Sequence, residues 1–473
     1  MYRPMIAALL AGACVALGSA AARADGAFPD SQGLMLPADK PNQIMLATTF
    51  GVVMTVDRGQ TWTYSCETMA NGNLAAFYNI GPTPRDRMFA LTDTALIYTD
   101  DLACTWGKAG GVLAPGKPPV DYFPDPSNAN RVWAALAPAT GAGTYSIVES
   151  LDAGSTFSTV RFTAAAGDTI TGVEISKSDA NTAYVTLRAA ANYAPKLAMT
   201  KDGGATWTTH DLSTVAAIGN ASIRLVAIDP TNPNKIFLRV SVQSGAAQGD
   251  GIALSLDGGA TFVSPPPIAV PGGVLNAFTR LSSGTLLAAG IDVVRNVVFR
   301  STDGGMTFTE LDAPLVRGLG QRNGIAYAAS SDDVNVANSF ALAQSTDDGL
   351  TFQPILHFAD MQAISSCVKT TCAADCTLKV NLGVWDQNVC SATAMPKPVD
   401  GGATTGAGGT SGAGGGSGQA VDAGADAGPA KVSKTGLFGC SYGVAGGSGA
   451  GLGGAIGVAL FLLLAVSRGR RRG

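Results

Sequence analysis

The chain has 473 residues, 14% of them charged, with 31 Lys and Arg against 35 Asp and Glu for a formal net charge of −4. A mildly acidic chain with no long Lys/Arg run in its body lacks the electrostatic footprint of a nucleic-acid binder. The length fits one large all-β domain as readily as two or three average domains.

Residues 1–24 read as a signal peptide. Arg3 supplies a short basic start, residues 5–17 form an apolar run, and Ala22 and Ala24 stand at the −3 and −1 positions of a cleavage site after Ala24. Cys14 lies inside the apolar run with Ala11 three positions earlier, a poor context for lipid attachment.

From there one eight-residue pattern, Ser/Thr-x-Asp-x-Gly-x-Thr-Trp/Phe, recurs seven times. The copies are TVDRGQTW (55–62), TDDLACTW (99–106), SLDAGSTF (150–157), TKDGGATW (200–207), SLDGGATF (255–262), STDGGMTF (301–308) and STDDGLTF (345–352). The second departs from the pattern, with Ala103 where the others have Gly. The aspartates are Asp57, Asp101, Asp152, Asp202, Asp257, Asp303 and Asp347, spaced 44 to 55 residues apart, the length of one four-stranded blade.

Each copy has the chemistry of a tight hairpin. A short carboxylate accepts hydrogen bonds from backbone N–H groups a few residues on, Gly takes a conformation that a Cβ would penalise, and the Trp or Phe packs inward. Upstream, strand-like runs are broken by Asp/Pro/Asn turns, such as DPSN (125–128) before RVWAALA and DPTN (229–232) before KIFLRVSV. Each repeat therefore reads strand A, turn, strand B, loop, strand C, acidic turn, strand D. An open row of seven sheets would expose edges, so closure is expected: an all-β, seven-bladed β-propeller with four-stranded antiparallel blades over residues 25–358. The repeats resemble the Asp-box (BNR) family of sialidases, sortilin-type receptors, xyloglucan-degrading propellers and photosystem II assembly factors.

Residues 359–394 carry Cys367, Cys372, Cys376 and Cys390, and Cys66 and Cys104 lie earlier. An even set of six in an exported chain favours disulfides, and the spacing lacks the paired CxxC knuckles of a zinc ribbon. The four later cysteines are expected to staple a small extension packed on the last blade. That leaves Cys66 and Cys104 as a pair linking the first two blades. Residues 395–434, rich in Gly, Ala and Ser, have too little apolar bulk to repay ordering and read as a disordered linker.

The end of the chain, 435–473, reads as a sorting tail. Between Lys434 and Arg468 there is no charge, and 452–466 (LGGAIGVALFLLLAV) precedes an arginine cluster, the pattern of a C-terminal transmembrane helix with those arginines cytoplasmic. Gly439-Cys440-Ser441, the apolar segment and the arginines resemble the surface-sorting signal of myxobacterial proteins (MYXO-CTERM). That resemblance implies processing by a sorting protease and anchoring at Cys440, although Tyr442 replaces a second cysteine present in many members.

Seven carboxylates recurring once per blade are spread round a ring, whereas catalytic carboxylates must converge to within about 10 Å. The sialidase resemblance implies a cluster of arginines and an Arg-Ile/Leu-Pro motif before the first acidic turn, and no arginine occurs between Asp25 and Asp57. A xyloglucanase-like enzyme joins two propellers, and this chain has one. No cofactor or metal motif stands out, and His210 and His357 are isolated in the sequence. The expected function is a cell-surface, non-catalytic propeller that binds or scaffolds an extracellular glycan or protein. A glycoside hydrolase (sialidase-like or xyloglucanase-like) and an envelope assembly factor are the alternatives. Ligand contacts are expected on loops opposite the acidic turns, at Tyr193, Asp250 and Arg295.

Overall fold

A computed structural model describes residues 31–70, 77–92, 94–113, 119–138, 143–242, 248–292, 295–311, 315–332, 339–394 and 440–441. Seven sheets follow one another along the chain, each built on four antiparallel strands A to D that run in sequence order from the axis outward. Blade 1 covers residues 31–66, blade 2 77–108, blade 3 121–163, blade 4 169–211, blade 5 222–271, blade 6 274–311 and blade 7 318–356. The first strands of successive blades contact one another, which places them innermost. The fold class is thus an all-β, seven-bladed propeller, as the repeats require.

Strand composition follows from this geometry. Successive side chains on a strand point to opposite faces, and here both faces of every inner sheet meet a neighbouring blade. Inner strands are therefore largely apolar on both faces, as in Ile44–Thr48 and Gly51–Thr55, where every residue is buried. Ile44 and Leu46 face the seam with blade 7, while Met45 and Ala47 face the seam with blade 2. The core is divided into seven apolar clusters, one per seam, so each blade is held by two neighbours. Burial of such faces contributes about 25 cal/mol per Å².

The seam between blades 7 and 1 differs, because no D-to-A loop crosses it. The chain after blade 7 crosses it instead. Ala363–Ser365 pairs in parallel with strand D of blade 1, Thr63–Cys66, and Thr393–Ala394 adds beyond it, making blade 1 six-stranded. Strand D of blade 1 is consequently buried at all four positions, whereas Thr208–Asp211 of blade 4 is largely exposed. In this seam Phe358 and Trp385 meet the Phe50 ring edge to face, and Trp385 meets Tyr64 in the same way. Arg322 of blade 7, itself buried, donates to the carbonyls of Pro37, Lys40, Pro41 and Gln43 of blade 1.

Two sequence expectations need correction here. The extension packs on blade 1 and its seam with blade 7 and contains a helix, Lys369–Asn381, absent from the all-β reading. Cys372, Cys376 and Lys379 form its buried stripe at helical spacing. The disulfides are Cys66–Cys372, Cys104–Cys367 and Cys376–Cys390, so Cys66 and Cys104 do not pair with each other. Strand alternation is the reason: Ser65 points to blade 2 and donates to the Ala103 carbonyl at 2.8 Å, so Cys66 points the other way, to the helix.

Among the described residues no helix is long and apolar enough to cross a membrane. The signal peptide, the linker 395–434 and the tail apart from residues 440–441, including the segment 452–466, lie outside the described residues.

Candidate functional site

The seven aspartates sit one per blade in the turn between strands C and D. In blade 4 the Thr200 hydroxyl donates to Asp202 Oδ1 at 2.8 Å, and the Thr206 N–H and hydroxyl donate to the same carboxylate at 2.8 and 2.6 Å. The Thr200 hydroxyl in turn accepts the Gly204 N–H, which accounts for the Ser or Thr that opens each copy. Asp57, Asp101, Asp152, Asp257, Asp303 and Asp347 repeat the arrangement. Hydrogen bonds from these hydroxyls and N–H groups lower the Asp202 carboxyl to about 2. The other six are lowered too, their hydrogen bonds outweighing desolvation where that is the largest single influence. Each of these carboxylates is held by its own turn.

The three ligand-loop candidates do not come together. Tyr193 lies in the B–C loop of blade 4, 62% exposed, with a left-handed backbone at φ 59° and the Arg188 guanidinium 4.5 Å from its ring centroid. The loop beneath it is tied by Ala189 to Ala194 backbone bonds and by the Ala190 N–H to Asp168. Arg295 is exposed in the B–C loop of blade 6 and is engaged by Asp292 at 3.1 Å and by Glu310. Asp250 is the correction: it is 7% exposed, not a loop residue open to ligand. It is the second residue of strand C of blade 5 and accepts from Ser241 Oγ at 2.6 Å and from the Leu275 N–H of blade 6 at 2.9 Å. Arg239 stands 3.7 Å away. Asp250 thus ties two blades together. Cys440 pairs with Phe278 of blade 6 through the backbone, with the rest of its segment outside the described residues.

His357 is less isolated than its sequence context implies. Its Nδ1 lies 2.8 Å from Asp332, whose other oxygen accepts the Phe358 N–H.

A group that the sequence reading missed lies on the axis. Asp121 begins the innermost strand of blade 3, and its Oδ1 meets Arg224 of the innermost strand of blade 5 at 3.1 Å. Blades 3 and 5 are not neighbours, so these side chains meet across the inner edge of blade 4. There the Val173 N–H donates to Asp121 Oδ2 at 3.0 Å. Gly172 makes the room, since a Cβ would stand 3.3 Å from Arg224 Cγ and 3.5 Å from Asp121 Oδ2. Burial lifts the Asp121 carboxyl, against the pull of Arg224 and the Val173 N–H. Glu174 of blade 4, 7% exposed, is pushed up to about 8 by burial and then by the Asp121 charge. A carboxyl raised in this way favours its neutral form, which can donate a hydrogen bond. The only signal in the sequence was a glutamate and a glycine inside the apolar run TITGVEI.

No protein-family model matches the chain, and no curated protein matches it by sequence. Solved structures are similar to it in fold. The GH74 xyloglucanase from Xanthomonas campestris is 14% identical over 71% of this chain and 65% of that one, with a TM-score of 0.37. YCF48 from Cyanidioschyzon merolae is 13% identical over 64% of this chain and 94% of that one, at 0.42. A prolyl endopeptidase is 11% identical over 69% of this chain and 49% of that one, at 0.45. The chain spans just under two thirds of the xyloglucanase and about half of the peptidase. These scores carry no argument about activity; the seven-blade architecture rests on the strand order itself.

Proposed function

We propose that this chain is an exported, surface-tethered Asp-box propeller that serves as a rigid binding or scaffolding module for an extracellular glycan or protein. The face opposite the acidic turns is its ligand face. Tyr193 carries the reading. A bulky residue in left-handed backbone costs about 1 kcal/mol or more, and a large exposed aromatic gains nothing from burial. Both are unfavourable for stability alone, yet the loop is tied and Arg188 stacks beneath the ring. A ring presented in this way suits the apolar face of a sugar or a side chain of a protein partner. The sorting-tail resemblance and the Gly-rich stretch 395–434 support tethering through the C-terminus, with Cys440 as the anchoring point.

The test is a glycan and surface-protein binding screen with the full chain and its Tyr193→Ala variant. Binding is expected, weakened at least ten-fold by the substitution. Binding that Tyr193→Ala leaves untouched rejects this face. A glycoside hydrolase is the second reading, favoured by the buried Glu174 on the innermost strand of blade 4, whose carboxyl is pushed up to about 8. Turnover of a glycan abolished by Glu174→Gln would replace the first reading with that one, and co-purification with one stoichiometric envelope protein would favour an assembly role.

A further inference from the structure

The second acidic turn is built unlike the other six. In each turn the two residues after the aspartate have positive φ, and the second of them is Gly in blades 1 and 3 to 7, as in Gly59, Gly204 and Gly349. Blade 2 places Leu102 and Ala103 there, at φ 59° and 61°. Two consecutive non-glycine residues in the left-handed region are unfavourable, and blade 2 compensates with bonds beyond the turn. Cys104, the next residue, is bonded to Cys367 of the extension, and the Ala103 carbonyl accepts the Ser65 hydroxyl of blade 1.

The two disulfides that reach the ring differ in access. Cys66 is 2% exposed and Cys372 fully buried in the seam core. Cys367 is exposed and Cys104 half-buried at the surface. Reagents that act on sulfur therefore reach one bond and not the other.

We propose that Cys104–Cys367 is a thiol-reducible latch, whose opening frees the strained acidic turn of blade 2 from the extension while the buried Cys66–Cys372 bond keeps the ring closed. The reductant is a small dithiol. One of its thiolates attacks a sulfur of the Cys104–Cys367 bond, which breaks to give a mixed disulfide and one cysteine thiolate. The second dithiol sulfur then displaces the other cysteine. The dithiol ends oxidised to its own disulfide, and Cys104 and Cys367 end as thiols that hold its two protons. Once free, residues 101–105 lose the covalent tie opposing relaxation of Leu102 and Ala103, and that relaxation opens the bonds from the Cys104 and Thr105 N–H groups to Asp101.

The experiment treats the folded, oxidised full chain with brief pulses of dithiothreitol, alkylates it with iodoacetamide and maps the labelled peptides. Cys104 and Cys367 are expected to label at least ten-fold faster than Cys66 and Cys372. Amide exchange across residues 101–105 should then rise at least ten-fold, with residues 63–66 unchanged. Equal labelling of the two pairs, or labelling at Cys104 with no faster exchange in its turn, overturns the proposal. Ala103→Gly supplies the second arm. It should cut the rise in exchange by at least three-fold, because Gly tolerates the conformation without the bond; an undiminished rise rejects the part assigned to backbone strain.

Discussion

At the scale of single residues the carboxyl groups divide into two kinds with opposite pH behaviour. The turn aspartates Asp152, Asp202 and Asp347 titrate at about 2 in the folded chain, below the ordinary 3.8. Their contribution to stability is complete above about 3.8 and is lost as pH falls through about 2. Glu174 runs the other way, from an ordinary 4.5 up to about 8. Between those values the unfolded chain releases a proton that the fold retains, so stability declines as pH rises from about 4.5 to about 8. Urea unfolding at pH 5.5 and pH 8 should show that loss, up to a few kcal/mol, in the parent chain and a smaller one in Glu174→Gln. Identical slopes in the two proteins would mean that the fold does not hold the proton at Glu174. The turn chemistry was legible in the sequence because every hydrogen bond of an acidic turn closes within about four residues. The Asp121–Arg224 pair was not, since its members are 103 residues apart and meet only when blades 3 to 5 surround the axis.

At the scale of elements each acidic turn is also a piece of the neighbouring seam. Gly259 in the turn of blade 5 has φ 90°, and a Cβ there would fall 2.2 Å from Leu197 Cδ2 of blade 4. Gly259→Ala therefore meets two penalties, backbone strain and a clash in the core between blades 4 and 5. A loss of about 3 kcal/mol is expected by urea unfolding, with the Asp257 hydrogen bonds chemically intact. Stability within about half a kcal/mol of the parent would show that this turn is free to move off blade 4. The strand order A to D was readable from the repeat, whereas the helix Lys369–Asn381 was not read. Its signal was present as the four-residue spacing of Cys372 and Cys376, which is a helical period.

At the scale of the molecule the ring must close where the chain does not continue. Covalent closure comes from Cys66–Cys372, spanning 306 residues, and from Cys104–Cys367, spanning 263. Loops of that length make cross-links effective, at about 4 kcal/mol or more in the loop-entropy picture. Polar closure comes from Arg322, whose guanidinium serves four carbonyls of blade 1. Arg322→Ala leaves those acceptors at the seam, of which Pro37 and Gln43 are buried, without their donor and should cost about 3 kcal/mol by urea unfolding. Hydrogen exchange should rise first in strand A of blade 1, Ser31–Met35. Exchange that rises equally in blade 4 would instead point to a loss spread over the whole ring.

The amino-acid sequence by itself determined the number of blades, the strand order within each and the place of every acidic turn. All three are written in patterns shorter than one repeat, where hydrogen bonds and side-chain alternation act between residues close along the chain. Only the tertiary structure decided which cysteines pair, that Asp250 is interior, that Glu174 is buried on the innermost strand of blade 4, and how blade 7 meets blade 1. Those outcomes depend on which strand ends and faces are brought together when the ring closes, and residues hundreds of positions apart leave no local pattern that announces their meeting.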